Sequence, residues 1–145
     1  MNSRTYVGAL ISVLLALIFG ASFVQGDTGD TDGGISITNA NFVAPSPEKE
    51  NLNEEWVDVA NNGTTEENIS GWTLQDQQNH TYTFPDFNLN AGAKVRIHSG
   101  IGSDSESDLY WCRSTSIWNN DGDLATLRDV SGVVIPRYPN DAEGA

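Results

Sequence analysis

The stretch Asn119-Asn120-Asp121-Gly122-Asp123 has the residue types of a calcium loop, because closely spaced oxygens are what a hard divalent cation requires. An EF-hand loop starting at Asn119 needs Gly at its sixth position and Glu at its twelfth, where this chain has Leu124 and Val130. That pattern fails. The same residues suit a hairpin turn, since Asn and Asp tolerate left-handed backbone and Gly122 carries no Cβ. Asp121 and Asp123 are weak metal candidates, and they need carboxylates from another segment. Asp104, Glu106 and Asp108 in "GSDSESD" are the natural partners. No cofactor is required by any motif, and calcium is the one that these loops leave open.

Catalytic chemistry has few candidates. His80 and His98 are the only histidines, and no nucleophile elbow, HExxH, CxxC or phosphate loop occurs. Ser99 follows His98 directly, but neighbours on a strand point to opposite faces, so they do not form a triad. His98 shares a strand face with Lys94 and Arg96 and is expected to meet solvent. Carboxylates are so abundant that no glycosidase-like pair stands out. The expectation is therefore a non-enzymatic chain with no catalytic residues. Trp56, Trp72, Trp111 and Trp118 invite a sugar-stacking reading, against which stands the need of a small sandwich for large core residues. Cys112 is the only cysteine, so no internal disulfide exists, and it is expected to be a small buried hydrophobe. Sequons for N-glycosylation occur at Asn62, Asn68 and Asn79. With 14 Asn and 24 Ser plus Thr, about two would arise by chance, so their number argues nothing.

The elements that must carry these residues are short. Apolar or alternating runs recur at 35–43, 54–61, 70–76, 80–84, 93–99, 107–112, 123–129 and 132–138, separated by Gly, Asn, Asp and Pro. No window shows a helical stripe. About eight strands in one domain predict an all-β sandwich. In "EEWVDVAN", Glu55, Val57 and Val59 share one face, and Trp56, Asp58 and Ala60 the other. Asn62-Gly63, Gln77 to Asn79, and Asp129-Val130-Ser131-Gly132 read as turns.

Residues 1–26 read as an export signal: Arg4 is the only charge before Asp27, and residues 7–24 are apolar apart from Ser12 and Ser22. The alternative is an uncleaved membrane anchor facing outside. Residues 27–33, "DTGDTDG", form an acidic flexible spacer, residues 34–138 the folded domain, and residues 139–145 a disordered tail. The net charge is −13, and one unit more negative once Arg4 is removed with the signal. Such a surface repels phosphate and so excludes nucleic acid as a partner. The expected location is extracellular, with membrane contact only through an uncleaved N-terminal segment.

The blocks "NEEWVDVANNG", "ISGWTLQDQQNHTYTFP", "LNAGAKVRIHSG", "DLYW" and "WNNDGDLATLRDVSGVVI" together resemble the lamin-tail domain, more narrowly its secreted archaeal and bacterial form. The resemblance covers residues 34 to about 138. It implies an immunoglobulin-like β-sandwich and a non-catalytic interaction module with a protein or cell-surface partner. It also implies that Trp72, Leu74, Tyr82, Phe84, Val95 and Ile97 are core, and that Trp118, Leu124 and Leu127 flank the Asn-Asp-Gly turn. Cys112 departs from the pattern, because relatives often have Gly after "LYW". The competing readings are a calcium- or carbohydrate-binding module, and an accessory subunit of a separately encoded hydrolase.

Overall fold

Val57 and Val59 face Ile97 and Val95 across an antiparallel pair, and all four are buried. Each such side chain contributes about 1.5–3 kcal/mol on leaving water. Around this pair the computed structural model, which describes residues 34–139, builds its larger sheet. The sheet takes β1 (Ile35–Asn41), β2 (Trp56–Asn61), β7 (Lys94–His98) and β8 (Asp108–Tyr110) in the order β1-β2-β7-β8. A second sheet has the order β5-β4-β9, from β4 (Thr73–Gln75), β5 (Thr81–Thr83) and β9 (Thr126–Arg128). β3 (Glu67–Asn68) and β6 (Asn88–Leu89) form a two-stranded pair. This is the all-β sandwich that the strand pattern predicted, in the immunoglobulin-like form that the resemblance implied.

The core lies between the sheets. Leu74 and Tyr82 face each other in register, Leu127 lies opposite Leu74 on the other side, and Trp118 belongs to the same core. Trp72 packs against this core from a half-buried position, while Leu74, Tyr82, Phe84, Val95 and Ile97 are fully in it. Trp118 and Leu127 are buried beside the Asn-Asp-Gly turn, and Leu124 is half-buried there.

Several boundaries differ from the sequence expectation. The pair β3–β6 was not anticipated, because two residues on each side show no alternation. Segment 132–138 is not a strand: only Val134 and Tyr138 bridge to Arg128 and Ala125. Pro136 lies between them and has no N–H to donate to a ladder. Asn62-Gly63 begins a broader loop, because β2 pairs with β1 and β7 and not with β3. The turns at Gln77-Gln78 and at Gly132 (φ +82°) form where expected. The expected signal (1–26) and spacer (27–33), and residues 140–145 of the expected tail, lie outside the described residues.

β7 and β8 run parallel, the only parallel pair among the described strands. Segment 99–107 therefore returns the chain to the start of the sheet. A Cβ on Gly102 would fall inside the Tyr110 ring, so the glycine lets this segment lie flat on the tyrosine.

Candidate functional site

Asn119 to Asp123 form a turn, closed by the Gly122 N–H donating to the Asn119 carbonyl at 3.0 Å, with Gly122 at φ +123°. The flanking strands β8 and β9 lie in different sheets, so the turn is not a hairpin. Asp123 is buried, and its carboxylate accepts three backbone N–H groups: Asn119 at 2.8 Å, Leu124 at 2.7 Å and Gln77 at 3.1 Å. It thus ties the turn to the β4–β5 hairpin. Asp121 is exposed.

The acidic segment 104–108 is engaged differently. Asp104 Oδ1 accepts the Tyr110 N–H at 3.0 Å, and Asp108 bonds Ser107 and His98. Among the described residues, no group of three or more His, Cys, Asp or Glu side chains is arranged to hold a metal ion. The five carboxylates Asp104, Glu106, Asp108, Asp121 and Asp123 therefore do not converge.

Both histidines are held in place. His80 Nδ1 lies 2.7 Å from Asp76 Oδ2, while Asp76 Oδ1 accepts the His80 and Gln78 N–H groups, locking the β4–β5 turn. His98 does not meet solvent as its strand face implied: its side chain is 14% exposed. The reason is that Asn53, Asp108 and Tyr110 close over the ring. His98 Nε2 lies 2.8 Å from Asp108 Oδ1, Nδ1 lies 2.8 Å from the Asn53 carbonyl oxygen, and the ring stacks on Tyr110 at 4.9 Å. Both ring nitrogens thus face acceptors of the protein itself. Ser99 points into the core, and its Oγ has no hydrogen-bond partner among the described residues.

Of the tryptophans considered for sugar stacking, Trp118 is buried while Trp56, Trp72 and Trp111 are half-buried. Trp118 is buried and meets Phe42 and Trp111. Trp111 also packs on Tyr82, and the Trp56 ring carries the Arg96 guanidinium at 3.5 Å. Cys112 is exposed, correcting the expectation of a buried hydrophobe. Its backbone lies at φ +58°, a left-handed conformation natural to Gly, and that turns the side chain outward.

Besides Asp76, two buried acids were not singled out from the sequence. Asp58, on the outer face of β2, accepts Arg96 Nε at 2.7 Å and Nη2 at 2.9 Å, and Lys94 Nζ at 3.0 Å. Burial pushes its carboxyl up, but the Arg96 and Lys94 contacts outweigh this and hold it below the usual range. Arg96 directly opposite and Lys94 diagonal to it on β7, flanking Val95, were the available signal. Glu55 is fully buried and accepts the Ile117 and Trp118 N–H groups, both at 3.1 Å. Burial raises its carboxyl above the usual range, and nearby Glu48 adds to this. The Ser99 hydroxyl is near enough to oppose that shift, though outside hydrogen-bonding geometry. Glu48 in turn accepts Ser116 and Asn120, so two acids hold the 116–120 segment.

Three shallow clefts of about 400, 550 and 360 Å³ mark the surface. Lys49, Asn53, Ile101 and Arg113 line the first; Phe87, Asp104 and Glu106 the second; Glu66, Asn90 and Lys94 the third. Neither histidine lines any of them. The exposed large apolar side chains concentrate at one turn, where Val130, Val133 and Val134 are 72%, 58% and 42% exposed.

The sequence profile of the Lamin Tail Domain family matches residues 29–140. No curated protein matches the chain.

Proposed function

Because the chain belongs to the lamin tail domain family, an immunoglobulin-like and non-enzymatic domain family, we propose that it is an interaction module working outside the cytoplasm. The observation that carries the partner side of this reading is the turn at 129–134. Asp129 Oδ1 accepts the Ser131 and Val133 N–H groups, and the Val133 carbonyl accepts the Asp129 N–H. A turn so braced holds Val130, Val133 and Val134 in water, in a chain whose surface is otherwise strongly acidic. Exposed apolar side chains gathered on one braced turn form a patch of the kind that protein contacts use. The export side rests on the charge and apolar pattern of residues 1–26. A surface-attached or released protein partner fits both.

The test places a photo-crosslinking amino acid at Val130, with Gln77 as control, in the full chain expressed in its own host. Cell fractions are analysed alongside. The expected result is a discrete crosslinked species from position 130 only, in the extracellular or surface fraction. Equal or absent crosslinking from the two positions would overturn the partner assignment. Retention in the cytoplasm would overturn export.

A further inference from the structure

We infer that Asn79, at the apex of the β4–β5 hairpin, is the residue of this chain that carries an N-linked glycan; the inference rests on the exported reading above. Three sequons exist, and the fold treats them differently. Asn62 is exposed, but its amide nitrogen is committed: Nδ2 donates to Ser36 Oγ at 2.8 Å and to the Gly34 carbonyl at 3.5 Å, joining the 62–63 loop to the start of β1. A sugar on that nitrogen removes one of the two protons that hold the loop. Asn68 lies in β3, paired with Asn88. The hydroxyl of its sequon belongs to Ser70, and Ser70 Oγ donates to Asp86 Oδ1 at 3.1 Å and accepts the Phe87 N–H at 2.9 Å. That hydroxyl is built into the packing of the β3–β6 pair.

Asn79 differs from both: among the described residues its amide is uncommitted, and its sequon hydroxyl is bonded only at the exposed surface. It is exposed between exposed Gln77 and Gln78 on one side and half-buried His80 on the other, and its side chain makes no hydrogen bond among the described residues. Its φ of +68° is one that Asn tolerates. The Asp76 carboxylate fixes the turn from below by accepting the Gln78 and His80 N–H groups. The sequon hydroxyl, Thr81 Oγ1, is exposed on the edge strand β5, where it accepts from Gln75 Nε2 and donates weakly to the Asn79 carbonyl. A glycan here covers polar turn surface and displaces no packing.

The chemistry needs a sugar donor of the lipid-phosphate-linked oligosaccharide class and its transferase. The amide nitrogen Nδ2 bonds to the anomeric carbon. The bond from that carbon to the phosphate oxygen breaks, the lipid phosphate leaves with the electron pair, and one amide proton passes to a base of the transferase.

The experiment takes the full chain from its own host, fractionates cells and medium, and maps glycopeptides by mass spectrometry. Asn79→Gln and Asn62→Gln variants run in parallel. Expected is a sugar mass on the Asn79 peptide of the exported protein, lost in Asn79→Gln and kept in Asn62→Gln. Exported protein with Asn79 unmodified, or with sugar on Asn62 or Asn68 instead, overturns the assignment and leaves the export reading standing. Protein retained in the cytoplasm overturns the export reading, and this one with it.

Discussion

Asp58 and Arg96 face each other across β2 and β7 in a two-point contact, Nε to Oδ1 at 2.7 Å and Nη2 to Oδ2 at 2.9 Å, with the guanidinium 3.5 Å over the Trp56 ring. The carboxylate is buried while Arg96 is only partly so. A carboxylate in the middle of a central strand is tolerable only because it is matched this closely. Arg96→Ala leaves Lys94 as the sole ion partner and uncovers Trp56. It should cost about 3 kcal/mol, read by chemical denaturation. Arg96→Lys keeps the charge but loses the fork, and should recover only part of that. A loss under about 0.5 kcal/mol in Arg96→Ala would show that the pair is not holding the sheet.

Acid sensitivity follows from two carboxyls. Arg96 and Lys94 hold Asp58 low against its burial; Ser107 first, and then His98, do the same for Asp108. A carboxyl depressed in the folded state adds stability above its unfolded range, about pH 4, and loses it as pH falls through the folded values. The melting temperature should therefore drop as pH is lowered below about 4. Asp108→Asn should remove part of that slope in melts taken across the acid range.

Glu55 has the opposite sign. Its carboxyl is raised by burial, so its contribution is fully present below the unfolded carboxyl range and is lost as pH rises through the raised folded value. Glu55→Gln keeps one acceptor for the Ile117 and Trp118 N–H groups and turns an NH₂ toward the other. The substitution should destabilise by about 1–3 kcal/mol. Its deficit should be largest at low pH and shrink as pH rises. Denaturation of both proteins over a pH series reads the difference, and a deficit that grows with pH would refute this account of Glu55.

Asp121 and Asp123 should separate cleanly. Asp123→Ala orphans three backbone N–H groups, one from the β4–β5 hairpin, and should cost about 2 kcal/mol or more. Asp121→Ala should stay within about 0.5 kcal/mol. Melts with EDTA and with a calcium series decide whether a cation is involved. A saturable rise with calcium that Asp121→Ala abolishes would show a site there.

Cys112→Gly should stabilise by about 0.5–1 kcal/mol under reducing conditions, because relief of the left-handed strain exceeds the added freedom of the unfolded chain. Cys112→Ala keeps the strain and should be near neutral. Equal midpoints for the two variants would locate the strain elsewhere.

The sandwich was legible because its strands alternate. β1, β2, β4, β5, β7, β8 and β9 all lie inside the expected runs, trimmed at their ends. What failed was non-local. The face rule that sent His98 to solvent sees only β7, and cannot see Asn53, Asp108 and Tyr110 closing over the ring. Asp123 looked like a candidate ligand because one of the amides it caps, that of Gln77, is 46 residues away. Cys112 was assigned to the interior by its side-chain type, and the backbone angle overrode that. Arg137 and Tyr138 lie in a β-prone run, but Pro136 breaks the ladder that the run suggested.

The Tyr138 hydroxyl donates to Asn39 Oδ1, and the Tyr138 backbone pairs with Ala125, so the last described turn of chain touches the first strand across 99 residues. The order of the strands in the chain limits when each pair can form. β1 and β2 can pair as soon as they are made, but β4 gains its partner β9 only after residue 128 is available. A chain emerging from a ribosome thus carries an unpaired edge on β4 until β9 has been made. The sandwich closes only once its C-terminal end arrives.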